Sequence, residues 1–221
     1  MNARAPHIAD TEEFTPVSLQ TPRGDIEARL NQAGGDTAFL CVPGAIGGWH
    51  SPAHGLYTRL SKELREQKIS SLQVKFRDPH DMAEATYDVL VGLEFLASED
   101  IKRVALIGHS FGGAVVILAA SQHRLARTIV ALSPQTYGAI PAIEEVAPEC
   151  SIMLIHGLDD EVLTPHCSRQ IHNAAKTPKK LHLLPDTRHG LDEAADEVYR
   201  LTHDWIVSEL AEGTRRARRK G

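Results

Sequence analysis

The sequence Val104-Ala105-Leu106-Ile107-Gly108-His109-Ser110-Phe111-Gly112-Gly113 joins an apolar run to an apolar helical segment through a single turn. Residues 104–108 predict a strand buried on both faces, and residues 112–122 predict a buried helix. A serine on so tight a turn stands clear of both elements, and the glycines two positions before and after it allow strand and helix to approach closely. The alternative is an ordinary glycine-rich turn with a surface serine. The flanking elements favour Ser110 as a nucleophile.

Outward from this turn, short apolar runs alternate with helical patterns along the chain. The predicted strands are 17–21, 26–31, 38–42, 69–76, 104–108, 128–132, 152–155 and 181–184, and the predicted helices are 52–67, 81–98, 112–122, 165–176 and 190–210. Such alternation implies crossover connections and a mainly parallel sheet. We therefore predict one α/β domain at residues 15–213, a doubly wound three-layer sandwich of about eight strands. An N-terminal extension (1–14) and a basic tail (214–221) flank it.

Charge is distributed unevenly between the predicted domain and the tail. The 221 residues include 24 Lys and Arg against 29 Asp and Glu, a formal charge of −5. The tail holds five of the basic residues, which leaves 19 against 29 in the body. We expect a disordered, solubilising tail, with docking of an acidic partner or a nucleic acid as the alternative. An acidic body gives no general attraction to nucleic acid and is unfavourable for anionic substrates.

Targeting and metal-binding signals are absent from the sequence pattern. Residues 1–14 lack the apolar core of a signal peptide, and no apolar run approaches the roughly 18 residues that a membrane span requires. Cys41, Cys150 and Cys167 are an odd number of cysteines without metal-ligand spacing. His50 and His54 have helical spacing, but Pro52 lies between them and no third ligand accompanies them. We expect a cytoplasmic protein with no metal site and no membrane association.

Two later loops contain the partners that a nucleophilic serine needs. A serine hydroxyl is a weak nucleophile unless a base takes its proton and an acid holds that base in one tautomer. Asp160 follows the predicted strand 152–155, and His189 follows the predicted strand 181–184. The alternatives are that Asp160 belongs to a solvated acidic turn and that His189 is one of twelve histidines without a catalytic role. His109 is expected to pack at the turn, and His156 to make a structural hydrogen bond.

Together these motifs resemble those of the α/β-hydrolase superfamily, over residues 15–211. Gly-His-Ser-Phe-Gly-Gly resembles its nucleophile elbow, and Arg188-His189-Gly190 resembles its late histidine loop. His156-Gly157-x-x-Asp160 resembles its acid loop, which selects Asp160 over Asp159. The greatest likeness is to the compact, lidless esterases of the dienelactone-hydrolase-like branch, although dienelactone hydrolases themselves carry cysteine where this chain has Ser110.

The resemblance also implies an oxyanion hole and an open pocket. One donor is the backbone N–H of Phe111, and the other comes from the loop after strand 38–42, with Ala45 predicted and Ile46 held in reserve. That loop lacks the Gly-Lys-Ser/Thr of a phosphate loop. Only about 17 residues, 135–151, are available where cap domains are inserted in this superfamily, so we expect no cap domain. Loop positions give the candidate pocket residues Ile46, Trp49, His50, Tyr137, Leu163 and Leu191.

The resemblance implies a serine hydrolase that cleaves carboxylic esters or thioesters through an acyl-enzyme on Ser110. No cofactor is expected, and the expected partner is a small-molecule ester, neutral because the body is acidic. A catalytically silent fold used for binding is one alternative. A perhydrolase or an amidase that uses the same triad is another. The sequence gives no prediction of the oligomeric state.

Overall fold

The computed structural model describes residues 14–218, and side chains as far as residue 211. The strands are β1 (Thr15–Leu19), β2 (Ile26–Asn31), β3 (Thr37–Val42), β4 (Ile69–Val74), β5 (Arg103–His109), β6 (Ala126–Leu132), β7 (Ser151–Gly157) and β8 (Lys179–Leu184). The helices are α1 (Pro52–Glu66), α2 (Met82–Ser98), α3 (Phe111–Gln122), α4 (Ala139–Glu145), α5 (His166–Ala174) and α6 (Ala195–Arg218). A single 3-10 turn, Asp192–Ala194, precedes α6.

The eight strands form one sheet in the order β1-β2-β4-β3-β5-β6-β7-β8. The pairs from β4 through β8 are parallel, whereas β1 pairs antiparallel with β2 and β2 with β4. The predicted mostly parallel sheet is therefore confirmed. The first strand ends earlier than predicted because Thr21 belongs to the turn, where its carbonyl accepts the N–H of Gly24 at 3.1 Å.

Two hydrophobic clusters, one on each face of the sheet, make the fold a three-layer sandwich. Alternate side chains of a strand point to opposite faces, so Leu40 and Val42 of β3 pack in one cluster and Phe39 and Cys41 pack in the other. The first cluster includes α2, α3 and residues of α4 and α5, and the second includes α1 and α6. Because helices cover both faces of the sheet, the sequences of the central strands are continuous apolar runs.

The two ends of the chain differ from the predicted boundaries. Phe14, assigned to the extension, is buried at 7% exposure, and residues 1–13 lie outside the described part of the chain. The backbone of residues 214–218 continues α6, and disorder of the tail stays a prediction. Alanine, arginine and glutamate are strong helix formers, which favours continuation of the helix. Residues 219–221 of the predicted tail lie outside the described part.

Among residues 14–218, no cap domain covers the carboxyl edge of the sheet. The segment between β6 and β7 contains only the seven-residue helix α4. The loops after β3, β5, β6, β7 and β8 therefore meet at an open edge, where ligands bind in open parallel α/β sheets. Between residues 14 and 218, no helix is long and apolar enough to cross a membrane.

Candidate active site

Ser110 occupies a strained turn between β5 and α3. Its φ of 57° and ψ of −117° lie outside the regions that a non-glycine residue prefers. A Cβ atom at Gly108 would lie 2.1 Å from the carbonyl oxygen of Gly112, and one at Gly112 would lie 2.1 Å from the carbonyl oxygen of Pro43. Only glycine permits these approaches, which explains the spacing of the two glycines around Ser110. The turn leaves Ser110 partly exposed at the carboxyl edge of the sheet.

His189 and Asp160 form a hydrogen-bonded pair on the two loops predicted to carry them. His189 Nδ1 lies 2.8 Å from Asp160 Oδ2, and the Asp160 side chain is fully buried while the His189 side chain is 14% exposed. Because the carboxylate only accepts, it fixes the proton of His189 on Nδ1 and leaves Nε2 as the basic nitrogen. The Ser110 hydroxyl has no hydrogen-bond partner among the described residues. Contacts of this kind are often loose before substrate binds.

Three donors hold the Asp160 carboxylate. Oδ1 accepts the backbone N–H groups of Val162 at 2.9 Å and Leu163 at 2.7 Å, and Oδ2 accepts from His189. His156 Nε2 also lies 3.0 Å from Oδ2. Burial by itself raises the pKa of Asp160, but the hydrogen bonds from His189, Leu163 and Val162 outweigh it and hold the pKa below the ordinary value. Asp160 is therefore ionised and oriented at neutral pH.

His156 has the structural role that the sequence predicted. Its Nε2 lies near two acceptors, the Leu163 carbonyl at 2.9 Å and Asp160 Oδ2, so Nε2 carries the proton. Its Nδ1 accepts from the Ser168 hydroxyl at 2.7 Å. Burial lowers the pKa of His156, which keeps the ring neutral. His156 therefore ties the loop after β7 to α5.

His109 packs at the elbow, as predicted, and also contacts the histidine loop. Its Nε2 donates to the carbonyl oxygen of His189 at 2.9 Å, and the two rings lie 4.7 Å apart between centroids. Burial lowers the pKa of His109 to about 4, so the ring is neutral. Its Nδ1 is buried and has no partner among the described protein groups. His109, the residue before Ser110, thus braces the backbone of His189.

The start of α1 holds the other side of the histidine loop. Ala53, His54 and Gly55 have left-handed backbone angles, so the regular helix begins later than the predicted start at residue 52. These angles direct the Ala53 N–H to the Gly190 carbonyl at 2.8 Å and the His54 N–H to Asp192 Oδ1 at 2.9 Å. A further contact joins the His189 N–H to Glu161 Oε2 at 3.2 Å. Sequence reasoning missed these supports, and only the position of Glu161 beside Asp160 gave a signal.

Phe111 and Ala45 are the residues predicted to supply the N–H groups of an oxyanion hole. Phe111 is the first residue of α3, and the first N–H groups of a helix have no acceptor within it. Ala45 is a central residue of a turn closed by the Gly47 N–H and the Gly44 carbonyl at 3.0 Å, and that bond leaves the Ala45 N–H free. Ala45 and Phe111 both line the cavity beside Ser110. Ile46, the reserve donor, is 79% exposed and does not line it.

Ser110 opens into a cavity of about 880 Å³. Tyr137 and Leu163 line it as predicted, and Val162 also lines it. One wall comes from the segment between β4 and the start of α2, residues 78–83, which the sequence reasoning did not identify. No motif marks that segment, and its role depends on how β4 and α2 place it beside α3.

Besides Ile46, three other predicted pocket residues do not line the Ser110 cavity. Leu191 is fully buried in the hydrophobic cluster with α1 and α6, because its left-handed backbone turns it into the core. Trp49 lines a separate cavity near β1 and β2, with the Arg29 guanidinium 4.1 Å from its ring. His50 does not line the Ser110 cavity, and its ring lies 6.3 Å from that of His109. The prediction that these residues form the pocket wall is corrected accordingly.

The described residues contain no cluster of three or more His, Cys, Asp or Glu side chains that could hold a metal ion. Cys41 and Cys150 are buried and Cys167 is partly buried, and all three are free thiols. Burial raises the pKa of each thiol, so none has the low pKa of a reactive cysteine.

A family model supplies the classification. The dienelactone hydrolase family matches residues 45–211, a segment that contains all three residues of the predicted triad and the loop of Ala45. The chain belongs to the dienelactone hydrolase family. A search of curated protein sequences found no significant match.

Solved structures share the fold with this family member. Est1E from Butyrivibrio proteoclasticus has 15% sequence identity and a TM-score of 0.77, with 89% of this chain and 99% of that chain covered. The dienelactone hydrolase from Anabaena variabilis has 18% identity and a TM-score of 0.77, with 90% and 99% covered. The esterase domain from a Rhodothermus marinus protein has 17% identity and a TM-score of 0.71, with 87% and 97% covered. These likenesses establish an α/β-hydrolase fold, and the family places the chain among the hydrolases.

Proposed function

We propose that the protein is a serine hydrolase that cleaves carboxylic esters or thioesters through an acyl-enzyme on Ser110. The observation that carries this proposal is the pair formed by His189 Nδ1 and the buried Asp160 at 2.8 Å, on loops beside the strained turn of Ser110. A nucleophile on a tight turn, a histidine in a fixed tautomer and an ionised orienting acid are the parts of a Ser-His-Asp triad.

The reaction proceeds in two steps. His189 Nε2 takes the Ser110 hydroxyl proton as Oγ attacks the carbonyl carbon, and the N–H groups of Phe111 and Ala45 donate to the resulting oxyanion. Collapse breaks the bond to the leaving alcohol or thiol, which receives the proton from His189. A water molecule then loses a proton to His189 and attacks the acyl carbon, and the carboxylic acid leaves Ser110 with its hydroxyl restored. Asp160 stabilises the imidazolium during both steps.

An irreversible organophosphonate tests the nucleophile directly. We expect one phosphonyl adduct per native chain, on Ser110, and none on Ser110→Ala, because the reagent requires an activated hydroxyl. Ser98→Ala is the control, since Ser98 is an exposed residue at the end of α2 that donates only to the Phe95 carbonyl. Intact-protein mass spectrometry measures the adduct. Labelling of Ser110→Ala at the wild-type rate would overturn the proposal.

The alternative of a silent binding fold makes a different prediction about the C-terminal segment. If the protein is a hydrolase, the full chain and a chain without residues 214–221 hydrolyse p-nitrophenyl esters from acetate to octanoate at equal rates. A silent fold shows no turnover and depends on the basic segment for binding. A perhydrolase or amidase on the same triad differs in the attacking or leaving group, so a comparison of amide and peroxide-dependent activities distinguishes it.

Location in a reducing compartment, the cytoplasm, is part of the same proposal. Its support is chemical: all three cysteines are free thiols, and two of them are packed as small buried hydrophobic residues.

A further inference from the structure

The wall of the Ser110 cavity built by the segment between β4 and α2 is acidic. Asp78 and Asp81 line the cavity on this side, and no lysine or arginine is among the described residues that line it. His80 is the remaining ionisable side chain on the wall. An open cavity with charge of one sign on its wall attracts or repels a charged ligand before it reaches the reacting atoms.

Neither carboxylate is neutralised by a basic side chain. Asp78 Oδ1 accepts the backbone N–H of His80 at 2.9 Å. Asp81 caps α2, where its Oδ1 accepts the N–H of Ala83 at 2.8 Å and of Glu84 at 3.0 Å. Within residues 14–211, no ion pair involves Asp78 or Asp81. Both side chains therefore stand on the cavity wall without a basic partner among the described residues.

The adjacent arginine is occupied by other partners. Arg77 binds the fully buried Asp88 through Nε at 2.7 Å and contacts Glu84 at 2.7 Å. Its remaining guanidinium nitrogen donates to the Arg23 carbonyl at 2.7 Å. This buried pair fixes the beginning of the segment and keeps its positive charge away from the cavity.

The loops after β6 and β7 contribute exposed apolar side chains to the same cavity. Tyr137 is 76% exposed and Val162 is 62% exposed, on the loops after β6 and β7, and Leu163 lies beside them. The other large hydrophobic residues exposed in the described part, Ile46 and Leu158, lie on loops at the same edge of the sheet. Exposed apolar groups gathered around a cleft mark a surface that binds apolar ligands.

We infer that the cavity selects esters with an apolar acyl or aryl group and no negative charge, and that Asp78 and Asp81 enforce the exclusion of carboxylate-bearing esters. The inference rests on the proposed function, since it concerns the substrate of the same serine. In a solvent-exposed site, repulsion from these two carboxylates is expected to lower the kcat/KM of an ester that carries a carboxylate by about tenfold. The apolar side favours longer acyl chains over acetyl.

A pair of esters matched in size measures the charge selectivity. p-Nitrophenyl valerate and mono-p-nitrophenyl glutarate differ only in a terminal methyl against a carboxylate, and their alkaline hydrolysis rates correct for intrinsic reactivity. We expect the wild type to favour valerate by at least tenfold in kcat/KM at low ionic strength. Asp78→Asn/Asp81→Asn is expected to remove most of this ratio, and asparagine preserves the helix cap. In 1 M salt the ratio falls in the wild type too.

Asp100→Asn is the matched control, because Asp100 is an almost fully exposed acid after α2 that contacts Lys102, away from the cavity. Its selectivity ratio is expected to equal that of the wild type. An unchanged ratio in the double variant, or a wild type that hydrolyses both esters equally, overturns this inference and leaves the hydrolase intact. Failure to hydrolyse either ester, together with failure of the phosphonate to label Ser110, overturns both.

Chain-length dependence measures the apolar side. Val162→Ser is expected to lower the kcat/KM ratio of octanoate to acetate esters about fivefold, because a buried methylene group contributes to binding in proportion to its area. Leu158→Ser is the control: Leu158 is exposed on the same loop but does not line the cavity. Equal losses in the two variants would contradict a specific role for the cavity wall.

Discussion

A hydrogen-bonded network at the amino edge of the sheet differs from the group of polar side chains around Ser110 at the carboxyl edge. At the amino edge, Trp205 Nε1 donates to Thr128 Oγ1 at 2.7 Å, and Thr128 contacts the Ser151 hydroxyl at 2.8 Å. Ser151 in turn donates to Glu209 Oε2 at 2.8 Å, so Thr128 is the donor to Ser151. Each polar group in this hydrogen-bonded network has a partner, and the network links α6 to the starts of β6 and β7.

At the carboxyl edge, buried polar atoms remain without partners. His50 Nδ1, His109 Nδ1 and the Ser133 hydroxyl are buried with no hydrogen-bond partner among the described protein groups. Ser110 and Ser133 both have positive φ angles, of 57° and 42°. Unsatisfied groups and strain cost stability and persist where function requires them. The comparison indicates that the network of Trp205, Thr128 and Ser151 stabilises the fold, whereas the polar groups around Ser110 include strained and unpaired ones.

The largest expected effect is the loss of activity caused by a substitution at the carboxyl edge. Asp160→Asn is expected to lower kcat about 10⁴-fold, because asparagine no longer fixes the proton of His189 on Nδ1. Steady-state kinetics with a p-nitrophenyl ester measure it, with near-ultraviolet circular dichroism to confirm the fold. Asp159→Asn is the matched control, since Asp159 is the exposed neighbour whose backbone N–H donates to the Thr187 carbonyl. Similar losses in both variants would argue against Asp160 as the orienting acid.

A stability difference with pH follows from His109. Its pKa of about 4 in the folded state is below the ordinary 6.5, so the unfolded chain binds the proton more readily. The free energy of unfolding is therefore highest above pH 6.5 and decreases as the pH falls towards 4, by roughly 3 kcal/mol at full effect. His109→Gln removes this part of the slope, which urea unfolding between pH 4 and 7 measures. His156, whose pKa is also lowered, contributes a slope that remains.

Two substitutions of His109 test whether its hydrogen bond to the His189 carbonyl, and not only its packing, supports activity. Glutamine at residue 109 can still donate to the His189 carbonyl, whereas leucine cannot. We expect His109→Leu to lower kcat about tenfold with little change in KM and His109→Gln to retain most of the activity, consistent with loss of roughly one hydrogen bond. Equal kcat values in the two variants would show that the donor is unimportant.

At the amino edge, Thr128→Val is expected to lower the free energy of unfolding by about 2 kcal/mol and leave kcat/KM unchanged. Valine has nearly the same shape, but it leaves the buried Trp205 N–H without an acceptor. Urea denaturation measures the loss. Ser208→Ala is the control on the same helix, because Ser208 makes only a long 3.3 Å bond to the Trp205 carbonyl. A loss of activity in Thr128→Val would break the division between the two edges.

The smallest expected effect is a gain in stability at the carboxyl edge. Ser110→Gly abolishes turnover but is expected to raise the free energy of unfolding by about 1 kcal/mol, because glycine adopts the Ser110 backbone angles with less strain. Ser110→Ala retains the Cβ atom and the strain, so it serves as the comparison. If the two variants unfold at the same urea concentration, the elbow stores no measurable strain.

The sequence predicted most of the fold, and it placed the three residues of the proposed triad on neighbouring loops, because both inferences depend on local patterns. Apolar runs of strand length and helical spacing gave the order of elements, and loops that directly follow parallel strands meet at one edge of the sheet. Ser110, Asp160 and His189 stand next to such strands, so their positions could be inferred. The glycines at 108 and 112 marked the elbow because the close backbone approach there admits no Cβ atom.

The pocket and the supports of the triad were decided by the tertiary structure. Leu191 and Trp49 follow strands or loops in the same way as Tyr137, yet backbone direction places Leu191 in the core and Trp49 beside Arg29. No sequence motif marks the acidic wall at Asp78 and Asp81. These residues line the cavity only because α2 packs against α3. Short-range patterns specify elements and turns, whereas contacts between distant segments depend on three-dimensional packing that no local pattern encodes.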